Sequence, residues 1–248
     1  MRLRKVTITG ADDSIQPVEL FVLKQKYPFV EWALLLSSKS QGFPRFPSGG
    51  WLHDLNSIIK YPPSRIPPPL STKLELSGHF CGKLVSNFVR GKLPDESEME
   101  PWIFDMFQRI QINFHGIPQT PTPEFYQDLP TQLKNSGKQY IFQADGVNET
   151  LFWGMLRRNV DAVPLFDLSH GGGVLPEDWP KPFPNVMCGY AGGLGPNNLQ
   201  QQLEKISALV GDHPIWIDME TNVRSDNDLQ FDLEKVEACL KIAAPYVE

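Results

Sequence analysis

An alternation constrains this chain more than any other feature. Eight short stretches of strand character recur along it, and nearly all are followed by a stretch with helical spacing. Strands are expected over residues 6–9, 30–36, 74–77, 109–114, 139–144, 162–167, 185–190 and 214–218. Helices are expected over 18–25, 51–59, 82–90, 124–135, 148–158, 197–210 and 231–244, with an acidic helical insert over 96–107. In the first stretch Val6 and Ile8 share one face and Thr7 and Thr9 the other, which is the period of a strand. Residues 30–36 are apolar except for Glu31, close to what a strand buried on both faces requires. Two prolines qualify this pattern: Pro130 falls inside the expected 124–135 helix and Pro164 inside the expected 162–167 strand.

Strand–helix alternation implies a parallel sheet with right-handed crossovers. Eight such units predict an α/β chain closed into one (β/α)8 barrel, the TIM-barrel fold, over residues 1–248. The length of 248 residues agrees with it, since such barrels run to about 250. No GxGxxG follows the first strand, which counts against a dinucleotide fold. The proline-rich stretch 61–69 reads as a stiff loop and not a domain linker, because strand and helix signals continue in step on both sides.

Composition narrows the function classes. A net charge of −6 and the lack of any basic run with interleaved aromatics argue against a nucleic-acid partner. Three scattered cysteines make neither a disulfide framework nor a CxxC zinc knuckle. The basic N-terminus runs into the first strand instead of an apolar leader segment, and no apolar stretch is long enough to cross a bilayer. A cytoplasmic location, no membrane partner and no cofactor are therefore expected. Oligomeric state leaves no mark in the sequence.

Barrels of this kind carry their sites at the C-terminal ends of the strands. There the chain places Thr9, Asp12 and Asp13 after strand one, Ser37, Ser38 and Arg45 after strand two, and His79 and Cys81 after strand three. His115 follows strand four, Asp145 strand five, and Asp167, Ser169 and Gly171-Gly172-Gly173 strand six. Gly192, Gly193 and Gly195 follow strand seven, and Asp218, Glu220, Thr221 and Asn222 strand eight. The glycines after strand seven lead into a helix, with Pro196 expected in its first turn and Gly195 as its cap. Glycine backbone and a helix N-terminus together suit an anion. Gly192 and Gly193 with Thr221 and Asn222 are thus the expected phosphate site, and the expected partner is a small phosphorylated, anionic ligand.

The same residues carry a resemblance. The run Tyr190-Ala191-Gly192-Gly193-Leu194-Gly195-Pro196-Asn197-Asn198-Leu199 is similar to the AGGL-x-PENV motif of phosphoribosylanthranilate isomerase. The segment from Ile217 to Arg224 resembles that family's D-x-SSGVE loop, and Phe231 to Val236 its final KD-x-x-K-[IV] helix. Leu165-Phe166-Asp167 with Gly171-Gly172-Gly173 and Asp178-Trp179 is similar to LLD…GGTG…FDW. Asn113-Phe114-His115-Gly116 is similar to QLHG, and Phe43-Pro44-Arg45-Phe46 to SPRY. The motifs follow in order and cover nearly the whole chain.

The resemblance implies an Amadori rearrangement of a phosphorylated aminoaldose into an aminoketose. That reaction needs a general acid to open the sugar ring and a general base to take the C2 proton. It implies that Asp167 is the acid, that Arg45 contacts a ligand carboxylate through its bidentate fork, and that Gly172 and Gly173 border the substrate. The family's base is a cysteine on strand one. Here Thr9 stands in its place, and a threonine cannot serve as that base unaided. His79 on the substrate side, His115 as a catalytic group, and Cys81 are the candidates to replace it. Glu220-Thr221-Asn222 also replaces SSG, adding a negative charge beside the expected phosphate loop. One alternative is a non-catalytic phospholigand-binding or regulatory barrel that lacks the isomerase base. A minor one is a metal-dependent phosphosugar epimerase using His79, His115, Asp145 and Asp167. A Schiff-base aldolase is disfavoured, because no lysine stands at a strand end.

Overall fold

The computed structural model describes residues 1–61, 73–114, 123–167, 169 and 172–248. Eight parallel strands close into one barrel in sequence order: β1 (Arg2–Thr9), β2 (Val30–Leu36), β3 (Leu76–Phe80), β4 (Arg109–Ile112), β5 (Gln139–Gln143), β6 (Ala162–Asp167), β7 (Cys188–Ala191) and β8 (Pro214–Met219). Pairing of β8 with β1, Ile217 opposite Val6 and Asp218 opposite Thr7, closes the ring. Around it lie α1 (Pro17–Lys26), α2 (Gly49–Lys60), α3 (Lys83–Val89), α4 (Pro101–Asp105), α5 (Pro123–Gln127), α6 (Leu129–Asn135), α7 (Val147–Leu156), α8 (Leu199–Val210) and α9 (Leu233–Ala243). A two-stranded antiparallel ribbon, β9 (Arg224–Ser225) with β10 (Gln230–Phe231), follows β8. The (β/α)8 barrel expected from the alternation is the fold. No helix among the described residues is long and apolar enough to cross a membrane.

Several boundaries differ from the sequence reading for local reasons. The third strand runs over Leu76–Phe80 and not 74–77, because β2 pairs Trp32 with Leu76 and Leu36 with Phe80. His79 therefore lies inside the strand. The expected 124–135 helix is two helices, α5 and α6, and Pro130 sits in the first turn of α6, where a missing N–H costs little. The acidic insert is helical only over Pro101–Asp105. Helix α8 begins at Leu199 with Asn198 as its cap, so Pro196 and Gly195 are not its first turn and cap. Asn198 closes a turn there instead. Its Oδ1 accepts from the Gly195 N–H at 3.0 Å and its Nδ2 donates to the Gly193 carbonyl at 2.8 Å. Most of the proline-rich stretch lies outside the described residues, beginning at Pro62.

Alternation along each strand sorts side chains between two cores. Outward residues such as Val6, Trp32, Ile110, Phe142 and Ile217 pack under the helices in the main core. Inward residues fill the lumen, which branched aliphatics usually occupy. Here only the β5–β8 side is apolar, with Ile141, Val163, Leu165, Ala191 and Trp216 in one cluster. The β1–β4 side holds buried Thr7, Glu31, Ser77, His79, Arg109 and Gln111.

Glu31, the single polar residue of its strand, is fully buried and sits at the centre of that side. Arg109 NH1 donates to its Oε1 at 2.8 Å, and the Thr7 hydroxyl donates to the same oxygen at 2.9 Å. Its Oε2 lies 3.6 Å from the Lys5 ammonium, an ionic contact without a hydrogen bond. The Arg109 guanidinium stacks over Trp216, 4.3 Å from the ring centroid. Trp216 in turn needs Gly189 beside it, where a Cβ would come within 2.3 Å of the indole. Removing one partner of a buried ion pair leaves an uncompensated charge and costs about 3–5 kcal/mol. Arg109→Met should therefore lower unfolding stability by about that amount in a denaturant titration. The double variant Glu31→Leu, Arg109→Met should recover most of the loss, and equal losses in both would show that the pair is not the cause.

Candidate active site at the barrel mouth

The inward positions that end β6 and β8 converge on one cavity of about 210 Å³ at the C-terminal end of the barrel. In register, Asp167 pairs with Ala191 of β7, and Ala191 pairs with Asp218 of β8. The two aspartates thus flank β7 in one row, and two inter-strand steps of about 4.8 Å put their Cα atoms roughly 9–10 Å apart. Glu220, one inward step beyond Asp218, lines the same cavity. Among the described residues no lysine or arginine lines it.

Burial in this setting raises carboxyl pKa values, because each charge would stand in a low dielectric beside others of its sign. Asp218 is pushed up to about 8, by burial first and then by Glu220, Asp167 and Glu31. The Thr9 hydroxyl, donating to Asp218 Oδ1 at 2.7 Å, opposes that shift. Glu220 is also raised by burial, against the pull of the Arg45 guanidinium that pairs with it. Asp167 Oδ1 accepts from the Ser169 N–H at 3.1 Å and from the Ser169 hydroxyl at 2.7 Å. At neutral pH the site therefore holds a protonated carboxyl, Asp218, in one row with a second aspartate.

The expected site residues are distributed as follows. Asp167, His79, Gly173, Gly192, Gly193, Thr221 and Asn222 line the cavity. Thr9 is buried behind Asp218 and reaches the cavity only through that hydrogen bond. Arg45 is not in the lining. It bonds Glu220 and Asp228, and its own N–H donates to Asp12 at 2.6 Å from a left-handed backbone with φ 75°. Gly172 is exposed, its N–H donating to the Ser169 carbonyl at 2.8 Å. His115 lies outside the described residues, as does Gly171.

Burial disfavours two candidates for the missing base. His79 is driven down to about 3 by burial and by nearby Arg109, so it is neutral and a poor proton acceptor near pH 7. The Cys81 thiol is pushed up to about 11 by burial, and no thiolate forms there near neutrality. Among the described residues no group of three or more His, Cys, Asp or Glu is set to hold a metal ion.

The loop glycines have a packing role that the sequence does not show. A Cβ on Gly193 would meet the Leu175 N–H nitrogen at 2.5 Å, one on Gly173 would meet Thr221 at 2.9 Å, and one on Gly195 would meet Asn222 at 2.4 Å. The Asn222 amide donates to the Gly193 carbonyl at 2.7 Å. Glycine thus lets the loops after β6, β7 and β8 close on one another. Sequence reasoning left Gln111, Asn113 and Gln143 out of the site, although all three line the cavity. The signal was present: Gln111 alternates with Ile110 and Ile112, and Gln143 follows Phe142, so polar side chains fall on inward positions of otherwise apolar strands.

No family model matches this chain, and no curated protein matches it. Solved structures do. One is the catalytic domain of a mannanase from Streptomyces sp. SirexAA-E, 10% identical, with 94% of this chain and 79% of that chain covered and a TM-score of 0.44. At that distance the reaction has to be read from this chain's own residues.

The Asp218 shift has a stability consequence. Its native pKa lies near 8, far above the ordinary value of about 3.9. Between those values the folded state holds a proton that the unfolded state has lost, so stability falls as pH rises. Asp218→Asn removes the penalty. It should raise Tm by on the order of 2–4 °C for each kcal/mol relieved, with the gain large at pH 9 and small at pH 4. A gain independent of pH, or a loss at pH 9, would contradict the protonation assigned to Asp218.

Proposed function

We propose that this barrel is an acid–base enzyme that isomerises a small aminoaldose-type sugar derivative. The observation that carries this reading is the pair of aspartates flanking β7 in one cavity, one of them protonated at neutral pH. Asp218 is the general acid: it gives its proton to the ring oxygen as the sugar opens. Asp167 is the general base: it takes the C2 proton and returns it at C1, while the C2 hydroxyl gives its own proton back to Asp218 as it becomes the ketone. The assignment of Asp167 as acid, which the resemblance implies, is thereby changed. Burial raises Asp218 and so gives it the proton, and this reading places the base at Asp167. Thr9, in the position of the family's cysteine, donates a hydrogen bond that holds the acid in place.

The ligand is small, since the cavity is about 210 Å³. With three acidic side chains, one of them protonated, and no cation among the described lining residues, a neutral or cationic ligand is favoured over a dianion. A second reading keeps a phosphoryl group, because Gly192, Gly193, Thr221 and Asn222 all line the cavity and backbone N–H groups can hold an anion without a side-chain cation.

Assays with phosphoribosylanthranilate and with an unphosphorylated aminoaldose test both readings. We expect turnover of at least one, with kcat/KM falling as pH rises through about 8 as Asp218 ionises. Asp167→Asn should lower kcat by roughly 10²–10⁴-fold. Saturable binding of these sugars without turnover would instead support a regulatory barrel, and neither binding nor turnover would overturn the reading. Stronger binding of the phosphorylated sugar, competed by inorganic phosphate, would favour the second reading.

A further inference from the structure

The cavity has two unlike sides. The β6–β8 side carries the aspartates. The β3–β5 side carries His79, Gln111 and Gln143, each on an inward strand position and 1%, 5% and 4% exposed. His79 Nε2, Gln111 Oε1 and Gln143 Oε1 are all buried, and none has a hydrogen-bond partner. An unpartnered buried polar atom costs about 1–3 kcal/mol, so three of them on one wall of a cavity call for a common partner. These side chains are not what pairs the strands. Ladder pairing of β3, β4 and β5 runs through backbone groups, and apolar residues would fill these inward positions in an ordinary lumen.

We infer that His79, Gln111 and Gln143 form a subsite for the hydroxyl groups of an uncharged, polyol-like portion of the ligand. The inference rests on the acid–base reading only for the identity of the substrate, not for binding. Each group contributes one edge. Gln111 already donates its Nε2 to Asn113 Oδ1 at 2.8 Å, which leaves its oxygen as the unpartnered acceptor. Gln143 offers a second carboxamide oxygen. The His79 ring is neutral, because burial and Arg109 push it down to about 3, so its Nε2 meets a hydroxyl as donor or acceptor without charge. A hydroxyl both donates and accepts, and successive hydroxyls on a carbon chain match such a row. A phosphoryl group presents acceptors only, and two amide oxygens would repel it. The subsite therefore orients a sugar with its hydroxyl-bearing chain toward β3–β5 and its reacting carbons toward Asp167 and Asp218.

Ribitol, an uncharged polyol, is the probe, with inorganic phosphate as its comparison. Binding is read by calorimetry on the full chain. Ribitol should bind saturably, and Gln111→Met and Gln143→Met should each weaken it roughly ten-fold. Gln143→Met should keep or raise the wild-type Tm, since methionine removes a buried oxygen that has no protein partner, whereas Gln111→Met also removes the hydrogen bond to Asn113 and is read by affinity alone. Absence of ribitol binding in the wild type would mean that ordered water alone fills the wall and would overturn the inference. So would unchanged affinity in both variants, a Tm loss in Gln143→Met, or binding of phosphate but not ribitol. A chain that binds ribitol through these residues yet turns over no aminoaldose keeps the subsite and loses the proposed reaction. A chain that turns over the sugar with KM unchanged in both glutamine variants keeps the reaction and loses the subsite.

Discussion

A carboxylate placed inside a barrel must find a cation there, and the Glu31–Arg109 pair meets that requirement. Isolated ions in a low dielectric are too costly to persist. Glu31 accordingly draws Arg109 across the lumen, with Thr7 and Lys5 completing its surroundings. The Arg109 guanidinium then lies over the ring of Trp216, which covers Gly189 and belongs to the apolar half of the lumen. The pair thus divides the interior into a polar side and an apolar side. Its influence reaches the mouth in both directions: Glu31 helps to keep Asp218 protonated, and Arg109 helps to keep His79 neutral.

The mouth is organised by the same economy of charge. Three acidic side chains line it, and the cations near it are held in the rim. Arg45 binds Glu220 and Asp228, while fully buried Arg224 binds Asp12 and the Gly10 carbonyl. These contacts tie the loops after β1, β2 and β8 together and leave the cavity without a positive side chain among the described residues. Protonation of Asp218 is the remaining way to reduce the charge, and it is also what an acid catalyst requires. Stability of the rim and chemistry of the site follow from one distribution of charges.

Much of the fold was legible in the sequence because strand and helix periods differ, and eight repeats of the change leave few topologies open. The clustering of Asp167, Asp218 and the loop glycines at one end was legible too, since the barrel fixes which strand ends face the site. What escaped was side-chain direction and pairing. Thr9 ends β1 and Arg45 follows β2, but Thr9 faces Asp218 and Arg45 faces Glu220 and Asp228. No local pattern reveals a partner 175 or 209 positions away. The start of α8 was misplaced because Asn198 closes its own turn with Gly195, a choice between two caps that propensity does not decide. Gln111 and Gln143 are not legible as site residues from the strand ends, because the cavity reaches down into the strands.

Protonation of Asp218 joins the lumen, the rim and the chemistry, and it can be observed directly. Carbon-13 NMR titration of the side-chain carboxyls, with Asp218 assigned by its absence in Asp218→Asn, measures it without substrate. We predict a carboxyl carbon that titrates with a midpoint near 8. A midpoint in the ordinary carboxylate range of about 4 would contradict the account, since Asp218 would then be ionised at neutral pH and could not act as the acid.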